Sequence, residues 1–267
     1  MYPRLITTPF FTIYTFGVLL AAAYLSAFGW MVRGARRAGL DPDALASLGA
    51  WAIVGALLGA KALLILRSIL DGSLSSSDLW STSLLTSAGD FYGGFIGGLT
   101  ASALFFWRHP NVPVWRAADV CAPAIALGQA IGRVGCFMAG DDYGRPSSVP
   151  WAVTFTDPEA ARLGGTPLNV PLHPVQLYES IACLVLFAIL VARARRPHRD
   201  GDIIVTYTLL YAAVRFALEF FRGDADRGFV FGGLLSTSQF IAIIMVAGAA
   251  IAVWFRSRGA QKSVDAR

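Results

Sequence analysis

The chain has 267 residues, of which 55% are hydrophobic and 15% charged, with a formal net charge of +5. A soluble domain carries about a quarter charged residues, so the composition excludes a soluble enzyme and places the chain in the membrane class. The positive charge is accounted for by membrane topology and calls for no nucleic-acid partner.

A helix needs roughly 20 apolar residues to cross the hydrocarbon core. Residues 5–32 carry no charge and read as the first span. No basic segment precedes this span and no convincing cleavage site follows it, so a retained helix is expected rather than a signal peptide. Further spans fall near 46–66, 90–107, 118–138, 174–192 and 203–222, and residues 228–255 are again free of charge. The expected fold is an all-α polytopic membrane protein with seven transmembrane helices. It forms one integral membrane domain over 1–267, with an extracytoplasmic arm at 139–172 and a cytoplasmic tail at 256–267.

Orientation follows from the basic residues. Connections after the first, third, fifth and seventh spans hold thirteen of them, among them Arg33, Arg36, Arg37, Arg193, Arg195 and Arg196. The opposite connections hold six: Arg4, Arg67, Arg145, Arg162, Arg222 and Arg227. This positive-inside pattern predicts an outside N-terminus and a cytoplasmic C-terminus.

Between the spans, residues 68–89 are serine-rich (Ser73, Ser75, Ser76, Ser77) and are expected to lie along the outer interface as a short amphipathic piece. The arm contains the alternating run Trp151 to Phe155, a short strand, and then a turn at Asp157-Pro158. The tail after Phe255 is expected to be disordered. Cys121 and Cys183 sit in apolar helical context as small core residues. Cys136 has no second cysteine or histidine at metal-ligand spacing, so neither metal nor cofactor is expected.

The remaining polar residues gather at one depth. Gly132 to Pro146 joins Arg133 to a turn rich in glycine and acid, with Cys136, Gly140, Asp141 and Gly144. A guanidinium at the edge of hydrocarbon is costly without an anionic partner. Arg215, Glu219 and Arg222 share one face of the sixth span at i, i+4 and i+7. Either an Arg215–Glu219 ion pair locks helices together or the face belongs to a site, and the two are compatible. Residues 172–180 resemble a helix start, with Gln176 three residues after His173 as in a capping box and Tyr178 and Glu179 in the first turn. The predicted topology brings Lys61, Arg133, Arg215 and Glu219 into the outer halves of their spans. It also puts Tyr14, Asp90, Tyr92, Gly93, Gly94 and His173 to Glu179 near outer ends. Snorkelling residues would be spread over both faces, so this clustering points to a site, and its cations suit the phosphate of a lipid headgroup.

Five segments, in order, resemble the motifs of the prolipoprotein diacylglyceryl transferases: Ile13 to Gly17, Phe91 to Phe95, Gly132 to Gly144, His173 to Glu179, and Arg215 to Arg222. The resemblance covers nearly the whole chain. It implies an enzyme of the bacterial cytoplasmic (inner) membrane, its active site toward the periplasm. Such an enzyme moves the diacylglyceryl group of phosphatidylglycerol to the lipobox cysteine in the signal peptide of a prolipoprotein, forming a thioether and releasing glycerol-1-phosphate. By the same resemblance Arg133 and Arg215 hold the phosphate, Glu179 and Glu219 orient them, and Lys61 stands where the family usually has arginine. Tyr92, Asp141 and Glu219 join the two arginines as candidate catalytic residues. Tyr14, Gly93, Gly94, Cys136, Gly140, Gly144, His173, Gln176, Tyr178 and Arg222 join Lys61 and Glu179 as candidate lipid-binding residues.

The chain departs from the better-known members at three positions: Tyr92 replaces His, Cys136 replaces Asn and Asp141 replaces Glu. A tyrosine of ordinary pKa near 10 is a poor base at neutral pH, so electrostatic stabilisation is expected to outweigh a dedicated base. Two other classes fit parts of the pattern: a lipid- or precursor-binding homologue without activity, and a lipid or anion transporter. Repeated halves and correspondingly broken helices, which a transporter would show, are not seen in the sequence.

Overall fold

The computed structural model describes residues 2–8, 11–72, 89–224 and 228–265, with side chains to Trp254. Among these residues, six helical segments are long and apolar enough to cross a membrane: Thr15–Arg37, Pro42–Leu70, Val114–Ala139, Val175–Ala194, Asp202–Phe221 and Thr237–Trp254. The chain is a helical membrane protein. Helix Phe91–Arg108, the third predicted span, falls short of that hydropathy because four glycines, Tyr92 and a terminal arginine dilute its leucines and phenylalanines. Side chains such as Leu25, Leu58, Leu99, Ile181 and Ile251 are exposed, as lipid-facing residues would be.

Several boundaries differ from expectation. The first apolar stretch opens with a hairpin, β1 (Arg4–Thr7) against β2 (Thr12–Tyr14), before helix α1 (Thr15–Arg37) begins. The last opens likewise, with Phe229–Val230 paired to Leu235–Ser236. Its helix then runs from Thr237 to Asp265, through the tail expected to be disordered. The expected interfacial piece lies largely, and Arg227 entirely, outside the described residues.

The chain divides into two compact units, residues 31–117 and residues 1–30 with 118–267. In the first, α2 (Pro42–Leu70) packs on α3 (Phe91–Arg108) through glycine. A Cβ added at Gly55 would lie 2.6 Å from the Gly97 carbonyl oxygen, and one at Gly59 would lie 2.8 Å from the Gly97 Cα. Glycines four apart on both helices thus let the backbones touch, the small-residue packing of membrane helices. Asp90 fixes the start of α3, accepting from the backbone N–H of Tyr92 (2.8 Å) and Gly93 (3.3 Å) and pairing with Arg67 at 2.6 Å. At the other end Trp51 meets Phe105 edge-on and Arg108 lies over the Trp51 ring.

The second unit is built on α4 (Val114–Ala139), α6 (Val175–Ala194) and α7 (Asp202–Leu218). Ala122 and Ala126 of α4, Leu186 and Leu190 of α6, and Ile203 and Tyr207 of α7 form one buried cluster. Buried Asp119 caps α7, accepting from the backbone N–H of Gly201 (2.6 Å), Ile203 (2.9 Å) and Ile204 (2.9 Å), so a carboxylate on one helix satisfies the orphan donors of another.

Between α4 and α6 lies the arm. The predicted strand shortens to β3 (Val153–Thr154), paired with β4 (Pro171–Leu172). The predicted turn at Asp157-Pro158 is instead a helix start: Asp157 accepts from the N–H of Glu159, and α5 runs from Pro158 to Gly164. Phe155, Ala160 and Leu172 give the arm its own small core.

Candidate functional site

Gly140 ends α4 with a left-handed backbone (φ +79°), and a Cβ there would lie 2.6 Å from that of Ala160. Asp142 also takes positive φ (57°), which Asp tolerates better than most residues. The turn is pinned by the Asp141 N–H donating to the Cys136 carbonyl (3.0 Å) and by Gln176 Nε2 donating to the Asp141 carbonyl (2.6 Å). The chain then runs antiparallel to the segment after α7. Gly223 N–H donates to the Tyr143 carbonyl (3.0 Å), Arg145 N–H to the Phe221 carbonyl (2.8 Å) and Arg145 Nε to the Arg222 carbonyl (3.1 Å). Gly144 sits so close to His173 and Val175 that a Cβ would lie 2.8 Å from the side chain of either. The two predicted glycines at 140 and 144 are thus explained by close backbone packing.

This scaffold brings charged groups together. Arg133 Nε lies 3.0 Å from Glu179 Oε2, and its Nη1 is paired with Asp142. Tyr211 of α7 donates to the other oxygen of Glu179 at 3.0 Å. Arg222 pairs with the second oxygen of Asp142 and, through Nε (2.8 Å) and Nη2 (2.6 Å), with Asp224. One turn beyond Tyr211, Arg215 pairs with Glu219 at 2.9 Å and donates to Ser238 at 2.9 Å. Glu179 and Glu219 side chains are each only 2% exposed. A buried carboxylate beside each of Arg133 and Arg215 offsets the cost of taking those guanidiniums out of water.

Outside the spans the carboxyls diverge. Burial opposes ionisation of Asp142, but Arg133 and Arg222 override it and hold the carboxyl at about 2. Desolvation and repulsion from Asp142 push Asp141 above its usual range, although its side chain reaches the surface. Arg222 is held firmly protonated: Asp224 and Asp142 outweigh its burial.

Cys136 Sγ lies 3.9 Å from Arg133 Nη1 and, with Asp141 and Asp142, forms a group whose donor atoms all lie within 4.8 Å of one another. Such a set has the composition of a cation site, but Asp142 already faces two guanidiniums, which repel any added cation.

Of the residues expected from sequence, Arg133, Cys136, Asp141, Gln176, Glu179 and Arg222 meet here, while Arg215 and Glu219 form a separate pair one helical turn beyond Tyr211, which donates to Glu179. The single helical face expected for Arg215, Glu219 and Arg222 holds only the first two. The α-helix stops at Leu218, Glu219–Phe221 is a 3-10 turn, and Arg222 is extended. Nor is there a capping box at His173 and Gln176: α6 starts at Val175 without a side-chain cap. Instead His173 Nδ1 lies 3.1 Å from the Tyr178 hydroxyl, which also accepts from Trp151 Nε1 at 2.7 Å, and Phe221 completes this aromatic group. Glu179, expected in the first turn and in the shared polar zone, lies just past the first turn of α6, buried against Arg133.

Tyr14 stands apart from the arginine cluster. Its hydroxyl lies 3.3 Å from Glu159 Oε1 of α5 and from Arg162, and Arg4 also pairs with Glu159 at 3.1 Å. Lys61, Tyr92, Gly93 and Gly94 belong to the other unit: Lys61 is half-buried along α2, Tyr92 lies in the first turn of α3, and a Cβ at Gly94 would meet the Ala56 carbonyl oxygen at 3.4 Å. Sequence reasoning missed Asp142, Tyr211, Asp224 and Ser238. Only Asp142 had a signal, as the second acid of the glycine-rich turn.

A family model described as prolipoprotein diacylglyceryl transferase matches residues 3–255. Among similar proteins is the phosphatidylglycerol–prolipoprotein diacylglyceryl transferase of Clostridium tetani, 33% identical over 237 residues, which cover 88% of this chain and 89% of the relative. The same-named protein of Rhodospirillum centenum is 36% identical over 242 residues, covering 85% and 82%. That of Chromohalobacter salexigens is 32% identical over 251 residues, covering 92% and 89%. With its helices and motifs matched over almost its full length, the chain belongs to the prolipoprotein diacylglyceryl transferase family.

Proposed function

We propose that this chain transfers the diacylglyceryl group of phosphatidylglycerol to the lipobox cysteine thiol of a prolipoprotein signal peptide, the first step of bacterial lipoprotein modification. The observation that carries the reading is the pair Arg133 and Arg215, each set against a buried carboxylate, with Tyr211, one helical turn before Arg215, donating to the Glu179 that holds Arg133. Guanidiniums fixed in this way stabilise a phosphate that gains charge, and their orientation is set before substrate arrives.

The reaction is a displacement. The cysteine sulfur attacks the glyceryl carbon, the carbon–oxygen bond to phosphate breaks, and its electron pair leaves with glycerol-1-phosphate. A thioether remains, and the enzyme forms no covalent intermediate. A free thiol is already a few per cent thiolate at neutral pH, and the arginines raise that fraction. The thiol proton passes to surface water or to Asp141, the acid at the edge of the cluster.

Glu179 and Glu219 orient the arginines, and Arg222 adds positive charge. The family pattern assigns lipid contacts to Lys61, Tyr92, Gly93 and Gly94. The chain acts in the bacterial cytoplasmic membrane as one seven-span domain, with Phe91–Arg108 as its third span. The basic-residue distribution supports a site toward the outer face. The arm at 139–172 positions the lipobox.

Purified protein mixed with phosphatidylglycerol and a lipobox peptide should release glycerol phosphate and form thioether. No product under conditions where a relative is active refutes the proposal. Arg133→Ala and Arg215→Ala should each abolish turnover; activity retained in both refutes the phosphate assignment.

A further inference from the structure

Among the described ion pairs, each of the guanidiniums Arg133, Arg215 and Arg222 is already held by at least one carboxylate of Asp142, Glu179, Glu219 and Asp224. A headgroup phosphate that binds these guanidiniums competes with the carboxylates that hold them.

The four are not equally free to move. Glu179 and Glu219 are 2% exposed and anchored on or at the ends of their helices, and Asp224 is 13% exposed and chelates Arg222 from two residues along the chain. Asp142 differs on every count. Its side chain is 28% exposed, it sits in an extramembrane turn with positive φ, and it bridges guanidiniums from two separate segments. Its two oxygens reach one arginine each, as two oxygens of a phosphate would.

We infer that Asp142 is a stand-in anion, its carboxylate occupying, between Arg133 and Arg222, part of the seat that the headgroup phosphate takes when lipid binds, with Arg133 common to this seat and to the Arg133 and Arg215 pair of the proposed function. This rests on the transfer reading above and adds to it a residue that sets lipid affinity and product release. Asp142 is a positioning residue that acts through the two arginines. Without substrate it keeps both guanidiniums aimed and neutralised. After transfer the leaving group is a phosphate monoester with more charge than the diester donor, which the arginines would otherwise retain. The returning carboxylate competes for them and expels it.

The test separates affinity from turnover. In Asp142→Asn, which keeps the shape and removes the charge, KM for phosphatidylglycerol and the inhibition constant of glycerol-1-phosphate should each fall by about tenfold, with no rise in kcat. Asp142→Glu should restore values near wild type. A purely structural role predicts the opposite: KM raised or unchanged, and no tightening of the product. Direct binding of glycerol-1-phosphate, followed by thermal shift without peptide, reads the inference even if transfer itself fails. If Asp142→Asn does not fold, wild-type protein gives the answer by hydrogen exchange. Glycerol-1-phosphate should speed exchange in the turn at 141–144 as Asp142 is displaced, and slower or unchanged exchange overturns the inference.

Discussion

The α2–α3 pair and the α4–α6–α7 group solve the same problem by opposite means. Lipid offers no hydrophobic drive for helices to associate, so each pair needs some other source of affinity. In the first, Gly55, Gly59, Gly93 and Gly97 strip the interface to backbone, and the Arg67–Asp90 ion pair lies at its end. In the second, alanines bring the helices close, but Glu179 is buried between them and holds the half-buried Arg133 and Tyr211 in a hydrogen-bonded chain. Polar groups at such depth are expensive and are retained where they serve a function. The contrast separates an interface closed by backbone packing from one that also carries ionised groups.

The sharpest way to break that contrast is Glu179→Gln. It leaves Arg133 facing a neutral amide while the cavity keeps its shape. Removing one partner of a buried pair costs about 3–5 kcal/mol, so thermal stability in detergent should fall clearly. Transfer should fall by about a hundredfold or more, because a mis-aimed guanidinium loses stabilisation made mainly in the transition state. Turnover near wild type would reduce the pair to a structural lock.

Gly59→Leu is the matching test on the other side. The added side chain meets the α3 backbone directly, so the helices must separate, at a cost of roughly 1–3 kcal/mol or more. Stability should fall without a change in the affinity of the protein for glycerol-1-phosphate. A selective loss of anion binding with stability intact would show that the glycine seam serves the site rather than the packing.

A smaller effect is expected at Asp119, which lies in the ionic unit but outside its cluster. Asp119→Ala leaves three N–H groups at the start of α7 without their acceptor and should cost about 2 kcal/mol. Transfer by the folded fraction should be unchanged, and a disproportionate loss of turnover would tie the cap to catalysis.

What could be read from sequence follows these physical divisions. The long helices were legible because a hydrocarbon layer imposes length and apolarity on a contiguous run of residues. The two hairpins were not, because Leu5 to Tyr14 and Phe229 to Ser236 are as free of charge as the spans they precede. The Arg215–Glu219 pair was legible from i, i+4 spacing alone. Arg133–Glu179 was expected only as one member of a shared zone, since nothing local links α4 to α6. Asp141 was selected by its place in a motif, whereas Asp142 makes the ion pairs. Two left-handed residues, Gly140 and Asp142, decide which of the neighbouring acids faces the arginines, and backbone conformation at single positions leaves no periodic signal.

Acid titration distinguishes those two neighbours, with a smaller effect still. The Asp142 carboxyl is held at about 2, below its ordinary 3.8. Its ion pairs therefore contribute stability that is fully present above about pH 4 and fades as pH falls through 2. The Asp141 carboxyl is raised, so its ionisation opposes folding and relaxes as pH falls through its range. Thermal midpoints followed from pH 6 down to pH 2 should thus converge for wild type and Asp142→Asn, from a gap on the order of 1–2 kcal/mol at neutral pH. Asp141→Asn should show a slight gain at neutral pH that disappears in acid. Because Asp142 is bound by two fixed cations and Asp141 by none of the described ion pairs, the two curves should differ in sign. Curves of the same sign would mean that both acids share the arginines and that the turn does not choose between them.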